Sequence, residues 1–330
     1  MNYIYAFTVF TAAIRKNTIR RVYEALSKQS FKNFEWLIVD DGSTDDLEGE
    51  VKKFIAAGNI PIVYIKKENG GKHTAYNRGL REARGELFLP LDDDDSCVEN
   101  ALEIFYSEWQ KIKHDPEFIG ICCDCVDQNG TLVGSSGVQP FIDGTESDLR
   151  TKHSIRGEKW GFGRTEIAKQ YLFPEPKNVK FIMEAIVHER YAHNYKLRYI
   201  NRPLRIYYVP DLTEKGDNLS YLTVRTAIGM AFSYLYALNN GIRLRSTTRK
   251  SLVIFDNIKF CINCWRFNLF AGTGFKGLMS KIKGWDCKLA MTVCYPFGWI
   301  FFRKTVAAYP SVYAQLKDEE SYISSLSETV

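Results

Sequence analysis

Residues 86–95 read Glu-Leu-Phe-Leu-Pro-Leu-Asp-Asp-Asp-Asp, an apolar segment of strand length that ends in four consecutive carboxylates. The apolar part is typical of a β-strand buried on both faces. Adjacent carboxylates repel one another, so a folded protein needs a reason to keep them together. A solvated turn is one explanation. The other is a cation site, because carboxylates at i and i+2, here Asp92 and Asp94, suit Mg²⁺ or Mn²⁺ and leave positions for phosphate oxygens.

The sequence before this run alternates between strand and helix patterns. Apolar strands are predicted at residues 3–11, 34–39, 61–65 and 86–91, with helical periodicity between them. This alternation predicts an α/β fold with a mostly parallel sheet covered by helices. Ligands bind at the carboxyl ends of such strands. The polar residues lie at those ends: Thr11, Asp40-Asp41, Gly70-Gly71-Lys72 and Asp92 to Asp95.

Two of these strand ends have a structural as well as a functional interpretation. Asp40-Asp41-Gly42-Ser43 is explained by a turn with a helix cap, or by a carboxylate that accepts the N–H of a uracil or thymine ring. Gly70-Gly71-Lys72 is explained by a common tight turn, or by backbone N–H groups and one ammonium group that bind a phosphate.

In this order and spacing the segments resemble the family-2 glycosyltransferases of the GT-A fold. The resemblance covers residues 1–100 and is weaker afterwards. It is carried by the strand that ends at Thr11, by residues 34–45, by Asn77-Arg78-Gly79-Leu80 with Gly85-Glu86, and by Leu91-Asp92-Asp93-Asp94-Asp95 at the family's Asp-x-Asp position.

The resemblance implies roles for these residues. Thr11 and Asp41 would hold the base, and Lys72 the pyrophosphate. The acidic run would serve the ribose and the metal, Mn²⁺ or Mg²⁺, with Asp92 and Asp93 on the nucleotide, and Asp94 together with Asp92 on the metal.

Two later segments are candidates for the acceptor side. Glu158 and Trp160 offer a carboxylate and an indole face for a sugar, although a surface loop with one half-buried Trp explains them equally well. Glu184 lies between Phe181-Ile182-Met183 and Ala185-Ile186-Val187. Partial burial there would raise its pKa and favour a catalytic base, with Glu158 as the second candidate. The resembling family also places its base at Glu184, whereas the alternative is an ordinary residue in the first turn of a helix.

We expect a GT-A domain over residues 1–210, with a nucleotide-sugar half (1–100) and an acceptor half (101–210), and a helical, basic extension over 211–330. Residues 241–304 contain twelve Lys or Arg against two Asp, a local net charge of +10. Aromatic residues interleaved with these cations predict peripheral contact with an anionic membrane. The alternative is a helical subdomain that packs its aromatics internally. No nucleic-acid motif is present.

Other features define the expected location. No basic residue precedes the apolar run Tyr3–Phe10, which argues against a signal peptide. The segment Leu289–Phe302 is too short to span a bilayer and contains Pro296. The eight cysteines suggest no disulfide framework, and the isolated Cys261-x-x-Cys264 lacks the second pair that zinc needs. We therefore expect a cytoplasmic protein at the inner face of the membrane.

The expected reaction is inverting transfer of a sugar from a nucleoside diphosphate, with UDP favoured, to a glycan or lipid-linked acceptor in surface-polysaccharide synthesis. Two alternatives stay open. One is a nucleotidyltransferase, which also combines acidic metal ligands with a Gly-rich turn; residues 11–18, after the first strand, contain no Gly for its usual loop. The other is a catalytically inactive, membrane-associated nucleotide-sugar-binding scaffold.

Overall fold

The computed structural model describes residues 3–192, 194–208, 223–242 and 250–318. Its strands are β1 (Tyr5–Ala13), β2 (Phe34–Asp41), β3 (Ile62–Lys67), β4 (Gly85–Pro90), β5 (Ser96–Cys97), β6 (Phe118–Asp127), β7 (Phe141–Gly144), β8 (Lys159–Arg164) and β9 (Lys196–Tyr207). Its helices are α1 (Lys16–Ser27), α2 (Leu47–Ala57), α3 (Lys72–Glu82), α4 (Ala101–Gln110), α5 (Glu146–Thr151), α6 (Thr165–Ala168), α7 (Ala185–Tyr191), α8 (Val224–Asn239), α9 (Lys250–Phe270), α10 (Phe275–Lys281), α11 (Trp285–Ala308) and α12 (Pro310–Asp318).

The chain divides into two compact units. One comprises residues 1–172 and 191–211, and the other comprises residues 173–190 and 212–330. Residues 173–190, which the sequence places in the acceptor half, thus belong to the second unit. The expected boundary at residue 210 and the basic residues at 243–249 lie outside the described residues.

The first unit is built on one nine-stranded sheet in the order β3-β2-β1-β4-β8-β6-β9-β5, with β7 paired to β9. The pairs β3–β2, β2–β1 and β1–β4 are parallel. Beyond β4, strand β8 is antiparallel to both neighbours, and β6 and β9 are parallel to each other. With β5 and β7 antiparallel to β9, six of the nine strands run in one direction. The α/β class with a mostly parallel sheet is confirmed.

The parallel half of the sheet forms because its strands are apolar on both faces. All eight residues of β2 are buried, including the polar Glu35, Asp40 and Asp41. Glu35 is satisfied inside the sheet layer: it accepts from the Thr8 hydroxyl at 2.7 Å and from the Arg84 guanidinium Nε at 2.7 Å. A buried carboxylate with this set of donors ties β1 and β2 to the turn before β4.

The second unit is helical, and its core surrounds Trp265 of α9. This side chain is fully buried, stacks on Phe275 with ring centroids 5.3 Å apart, and donates its indole N–H to the carbonyl of Met291 at 2.6 Å. The backbone of Gly298 in α11 also lies against it. Helix α11 therefore packs on α9 through a face of small and apolar residues. In the described part of the chain, no helix has the length and apolar character needed to cross a membrane.

All eight cysteines lie in the described residues, and none forms a disulfide. Cys261 and Cys264 are buried in α9, where burial raises the pKa of Cys261 to about 12. A metal-binding thiol must lose its proton, which this environment opposes.

Gly79 gives a test of how α3 packs on the sheet. A Cβ added at this position would lie 2.4 Å from the ring of Phe10, which is buried and stacked on Phe88 with centroids 5.1 Å apart. Gly79→Ala should lower the free energy of unfolding by about 1–3 kcal/mol, the usual cost of overpacking, despite the better helix propensity of Ala. Urea unfolding followed by circular dichroism measures it.

The matched control is Gly277→Ala in α10, where the added Cβ meets only Thr273 at an ordinary contact distance of 3.5 Å. That variant should be neutral or slightly stabilised. Equal effects of the two substitutions would show that Gly79 is not required for close packing.

Candidate active site

The carboxyl ends of β1, β2, β3 and β4 lie side by side at one edge of the parallel half-sheet. The loops that follow these strands carry the polar segments singled out from the sequence. The hydrogen bonds of these polar side chains distinguish two groups. Some side chains hold the loops in place, and others meet at the edge of the sheet.

Asp40 has a structural role. It is fully buried and accepts from the backbone N–H of Ser43 at 2.6 Å and from the Ser43 hydroxyl at 2.6 Å. The Tyr64 hydroxyl donates to it at 2.5 Å. Burial, together with this bond to a carboxylate, raises the pKa of Tyr64 well above its usual range. Asp40 thus closes the turn after β2.

Asp41 connects two loops. Its carboxylate accepts the backbone N–H groups of Gly70 at 2.9 Å and Gly71 at 2.7 Å, and it forms an ion pair with the Lys67 ammonium group at 2.6 Å. Gly42 follows with φ of +77°, and a Cβ there would lie 2.6 Å from the backbone nitrogen of Asn69. The turn after β2 and the Gly-Gly turn after β3 are therefore held against each other by Asp41.

Lys72 brings the Gly-Gly turn to the acidic run. It is the first residue of α3, and its Nζ lies 2.7 Å from Oδ1 of Asp92. From the sequence we expect the Gly-Gly turn and the acidic run to meet at one edge of the sheet, and this contact agrees with that expectation. The ion pair thus places a positive charge beside a negative charge at the carboxyl edge of the sheet.

The acidic run, which we name the acidic turn (Asp92–Asp95), is neutralised mainly by Arg205 of β9. The guanidinium of Arg205 is buried, lies 2.9 Å from Oδ2 of Asp92, and donates through Nε to Asp95 at 2.7 Å. A second guanidinium nitrogen also bonds Asp95. Burial alone would lower the pKa of Arg205, but Asp92 and Asp95 raise it above its ordinary value.

The other cations come from α1 and the residue before it. Arg15 lies 2.9 Å from Oδ2 of Asp94 and 3.6 Å from Oδ1 of Asp93. Arg21 bonds the backbone carbonyl of Asp94, and its guanidinium lies 3.6 Å from the ring centroid of Tyr208. Cations from three distant parts of the chain thus converge on one turn.

The carboxyl groups of the acidic turn differ in acidity because they differ in burial and in partners. Burial would raise the pKa of Asp92, but the charges of Lys72 and Arg205 lower it to about 2. Burial raises the pKa of Asp93 to about 7 against the opposing effect of Arg15. Burial raises the pKa of Asp95 to about 6 against that of Arg205. Asp92 is therefore firmly anionic at neutral pH.

These residues suit one type of metal site. In the described residues no cluster of three or more His, Cys, Asp or Glu side chains could hold a cation on its own. A Mg²⁺-type site held by one or two carboxylates plus substrate phosphates does not need such a cluster. Asp92 and Asp94 have the right oxygen chemistry, and the Asp94 side chain is one-third exposed.

Two predicted ligand contacts fall on buried side chains. The Thr11 hydroxyl donates to the carbonyl of Leu91 at 2.9 Å and accepts from the Trp36 indole N–H at 3.0 Å. The Trp160 indole donates to the carbonyl of Pro90 at 2.6 Å and packs on Phe105 in the core. These two hydrogen bonds hold the backbone of Pro90 and Leu91, the two residues directly before the acidic turn. The buried indole of Trp160 has no open face for a sugar to stack on.

The two candidate bases occupy different environments. Glu158 is about half exposed, and its carboxylate lies 3.3 Å from Arg205. Glu184 belongs to the second unit and directly precedes α7, where its carbonyl accepts from the N–H of Val187 at 3.0 Å. The expected burial of Glu184 is wrong: its side chain is exposed, because Ile182, Ile186 and Val187 turn inward at this helix start and Glu184 does not.

Arg205, Arg15 and Arg21 were not identified from the sequence. Arg205 had a detectable signal, since it stands between Leu204 and Ile206 in an alternating strand and so points to the opposite face from these apolar residues. A charge in the middle of a strand needs a partner. Arg15 and Arg21 had no comparable signal, because exposed arginines at a helix start are common.

Comparison with known proteins agrees with this geometry. Residues 8–154 match the family model described as glycosyl transferase family 2. Glycosyltransferase GlyG of Streptococcus pneumoniae serotype 4 is 29% identical over 195 residues, which are 56% of this chain and 64% of GlyG. The putative colanic acid biosynthesis glycosyl transferase WcaA of Escherichia coli K12 is 31% identical over 100 residues, 30% of this chain and 35% of WcaA. The chain thus spans less than two thirds of these relatives.

Solved structures extend the likeness to most of the chain. Staphylococcus aureus TarS 1–349, solved in complex with UDP-GlcNAc, has a TM-score of 0.57 at 15% identity and covers 92% of this chain and 91% of its own. The mannosyltransferase PcManGT of Pyrobaculum calidifontis, solved with GDP-Man and Mn²⁺, has a TM-score of 0.50 at 16% identity, with 98% and 86% covered. This likeness confirms the predicted fold. Residues 8–154 are thus similar to glycosyltransferase family 2, and the chain shares its fold with these solved glycosyltransferases.

Proposed function

We propose that the protein transfers a sugar from a nucleoside diphosphate to a glycan or lipid-linked acceptor in surface-polysaccharide synthesis. The observation that carries this proposal is the contact of Lys72 with Asp92 at 2.7 Å, which joins a Gly-rich helix start to an acidic turn at the carboxyl edge of the sheet. A helix start with an ammonium group suits phosphates. Carboxylates beside it suit the hard cation that accompanies a diphosphate.

The nucleotide would lie along the loops that Asp41 holds together. In this proposal Asp41 and the backbone near Thr11 contact the base, Asp92 and Asp93 contact the ribose side, and Lys72 contacts the pyrophosphate. UDP is the nucleotide we favour, supported by the similar fold of a protein solved with UDP-GlcNAc. That likeness is one of fold, so the base is decided by binding experiments.

A divalent cation, Mn²⁺ or Mg²⁺, would be held by Asp94 and Asp92. When bound, such an ion neutralises charge that develops on a departing diphosphate. The chain's own contribution is to hold the two carboxylates in place: Arg205 and Lys72 fix Asp92, and Arg15 fixes Asp94. Because the charges of Lys72 and Arg205 lower its pKa to about 2, Asp92 stays ionised throughout the neutral pH range.

The acceptor hydroxyl needs a base on the side opposite the leaving diphosphate, which gives inversion in a single displacement. We propose Glu184 for this role and keep Glu158 as the second candidate. The exposure of Glu184 makes it accessible to an acceptor. Glu158 is already engaged by Arg205, so proton abstraction there would disturb the network that holds the acidic turn. A lipid-linked acceptor would place the protein at the inner face of the cell membrane.

The metal proposal is tested with Asp94→Asn. We expect this variant to lose the metal-dependent part of nucleotide binding, weakening the affinity for UDP in Mn²⁺ at least about tenfold, because the amide keeps the shape but removes the charge. The measurement is calorimetric titration of UDP, and separately of GDP, with Mn²⁺ or with EDTA.

The control for that titration is Glu99→Gln, which removes one exposed carboxylate that is not part of the acidic turn and should leave binding unchanged. Unchanged UDP affinity of Asp94→Asn in Mn²⁺ would contradict the metal assignment. Release of inorganic pyrophosphate from a nucleoside triphosphate would instead identify a nucleotidyltransferase.

The base is tested by kinetics. Glu184→Gln should keep the affinity for UDP and lower kcat by about 10²–10⁴-fold, the usual effect of removing a general base. Transfer is followed by release of the nucleoside diphosphate in the presence of acceptor. If turnover survives in Glu184→Gln and is lost in Glu158→Gln with UDP affinity retained, the two roles must be exchanged.

A further inference from the structure

Helix α11 presents an apolar surface on the side away from its packing face. Its buried residues Met291, Cys294 and Gly298 face α9. The opposite side carries four exposed apolar side chains, which we name the α11 stripe: Leu289 (59% exposed), Val293 (66%), Phe297 (55%) and Ile300 (45%). At 3.6 residues per turn these four positions fall within an arc of about 80°.

Such a surface is unusual for a helix at the exterior of a protein. A helix that is apolar on all sides is normally enclosed, and contiguous exposed apolar surface marks an interaction site. The aromatic residues of the second unit divide accordingly. Trp265, Phe267 and Phe270 of α9 are buried in the core, whereas Trp285 at the start of α11 is 79% exposed. The expected internal packing of aromatic residues thus applies to α9, whereas α11 leaves large apolar side chains exposed.

The charges around the stripe indicate what it contacts. Residues 275–304 contain six Lys or Arg and one acid, Asp286, a net charge of +5. Exposed cations stand at both ends of the stripe: Lys283 and Lys288 before it, and Arg303 and Lys304 after it. A second copy of the same surface would be repelled by this charge. A surface with anionic headgroups above an apolar interior complements it.

The dimensions favour a helix that lies in the membrane surface. From Leu289 to Phe301 the helix rises about 18 Å, well short of the about 30 Å hydrocarbon core of a bilayer. Arg303 lies 5.6 Å from the ring centroid of Trp299 and Lys304 lies 5.5 Å from that of Phe301. Aromatic rings beside cations are typical of the boundary between headgroups and acyl chains.

We propose that α11 lies in the plane of an anionic membrane, with the α11 stripe inserted among the acyl chains and the flanking lysines and arginines at the lipid phosphates. The stripe supplies the apolar contact, and the cations select the lipid charge. This inference concerns the second unit only and does not depend on the donor chemistry. If both hold, the contact brings the enzyme to a lipid-linked acceptor.

The test is sedimentation of the full chain with vesicles of phosphatidylcholine alone or with 30% phosphatidylglycerol. Binding should require the anionic lipid and weaken at least tenfold between 50 and 500 mM NaCl. Val293→Ser/Phe297→Ser should weaken it at least tenfold at 50 mM NaCl. Ile4→Ser/Ile55→Ser, which alters two exposed apolar residues of the first unit, is the matched control and should bind normally.

A second measurement separates insertion from adsorption. Brominated acyl chains should quench the fluorescence of Trp285 and Trp299, and the quenching should be lost in Trp285→Phe/Trp299→Phe. Equal binding to neutral and anionic vesicles, no binding to either, or unchanged binding of Val293→Ser/Phe297→Ser would overturn the proposal. So would a dimer in solution that Phe297→Ser dissociates, since it would identify a second copy as the occupant of the stripe. UDP titration reports separately on the donor site.

Discussion

The guanidinium of Arg205 lies buried between Asp92 and Asp95, with Glu158 at 3.3 Å, and the rest of the site depends on this contact. Four adjacent carboxylates at the end of a buried strand would repel one another and lose hydration. Arg205 supplies a charge that is always positive and a planar set of donors that can bond two carboxylates at once. Its removal would leave the buried carboxylate of Asp95 without the cation that faces it, which is far costlier than loss of an exposed ion pair.

Because of this interaction, the site depends on both halves of the sheet, the parallel strands β1 to β4 and the later strand β9. Arg205 lies 113 residues after Asp92 in the chain, yet β9 pairs with β5 directly after the acidic turn, with Cys97 opposite Arg205. The parallel strands β1 to β4 provide the loops, and β9 provides their counter-charge. The Thr11 hydroxyl donates to the carbonyl of Leu91, and the Trp160 indole donates to the carbonyl of Pro90. These bonds fix the direction in which the chain leaves β4 and enters the acidic turn.

The parallel half of the sheet could be predicted from the sequence because its signals are local. Apolar strands that end in polar loops predict a common edge, and the contact of Lys72 with Asp92 agrees with that logic. The order of β5 to β9 could not be predicted, because pairing across long loops depends on contacts between distant segments. Adjacent residues were also hard to separate: Asp40 closes a turn, whereas Asp41, one residue later, holds the Gly70-Gly71 backbone. For Glu184, apolar neighbours in the sequence did not imply burial, since a helix start turns successive residues in different directions.

The coupling energy between Arg205 and Asp95 tests most directly whether the buried guanidinium holds the acidic turn together. Urea unfolding at pH 8 of the wild type, Arg205→Gln, Asp95→Asn and the double variant closes a double-mutant cycle. Arg205→Gln should lower the free energy of unfolding by about 3 kcal/mol or more, the usual cost of breaking a buried ion pair. The double variant should recover part of that loss, because it no longer buries an unpaired carboxylate, giving a coupling of at least about 1 kcal/mol. Additive effects of the two single substitutions would contradict this account.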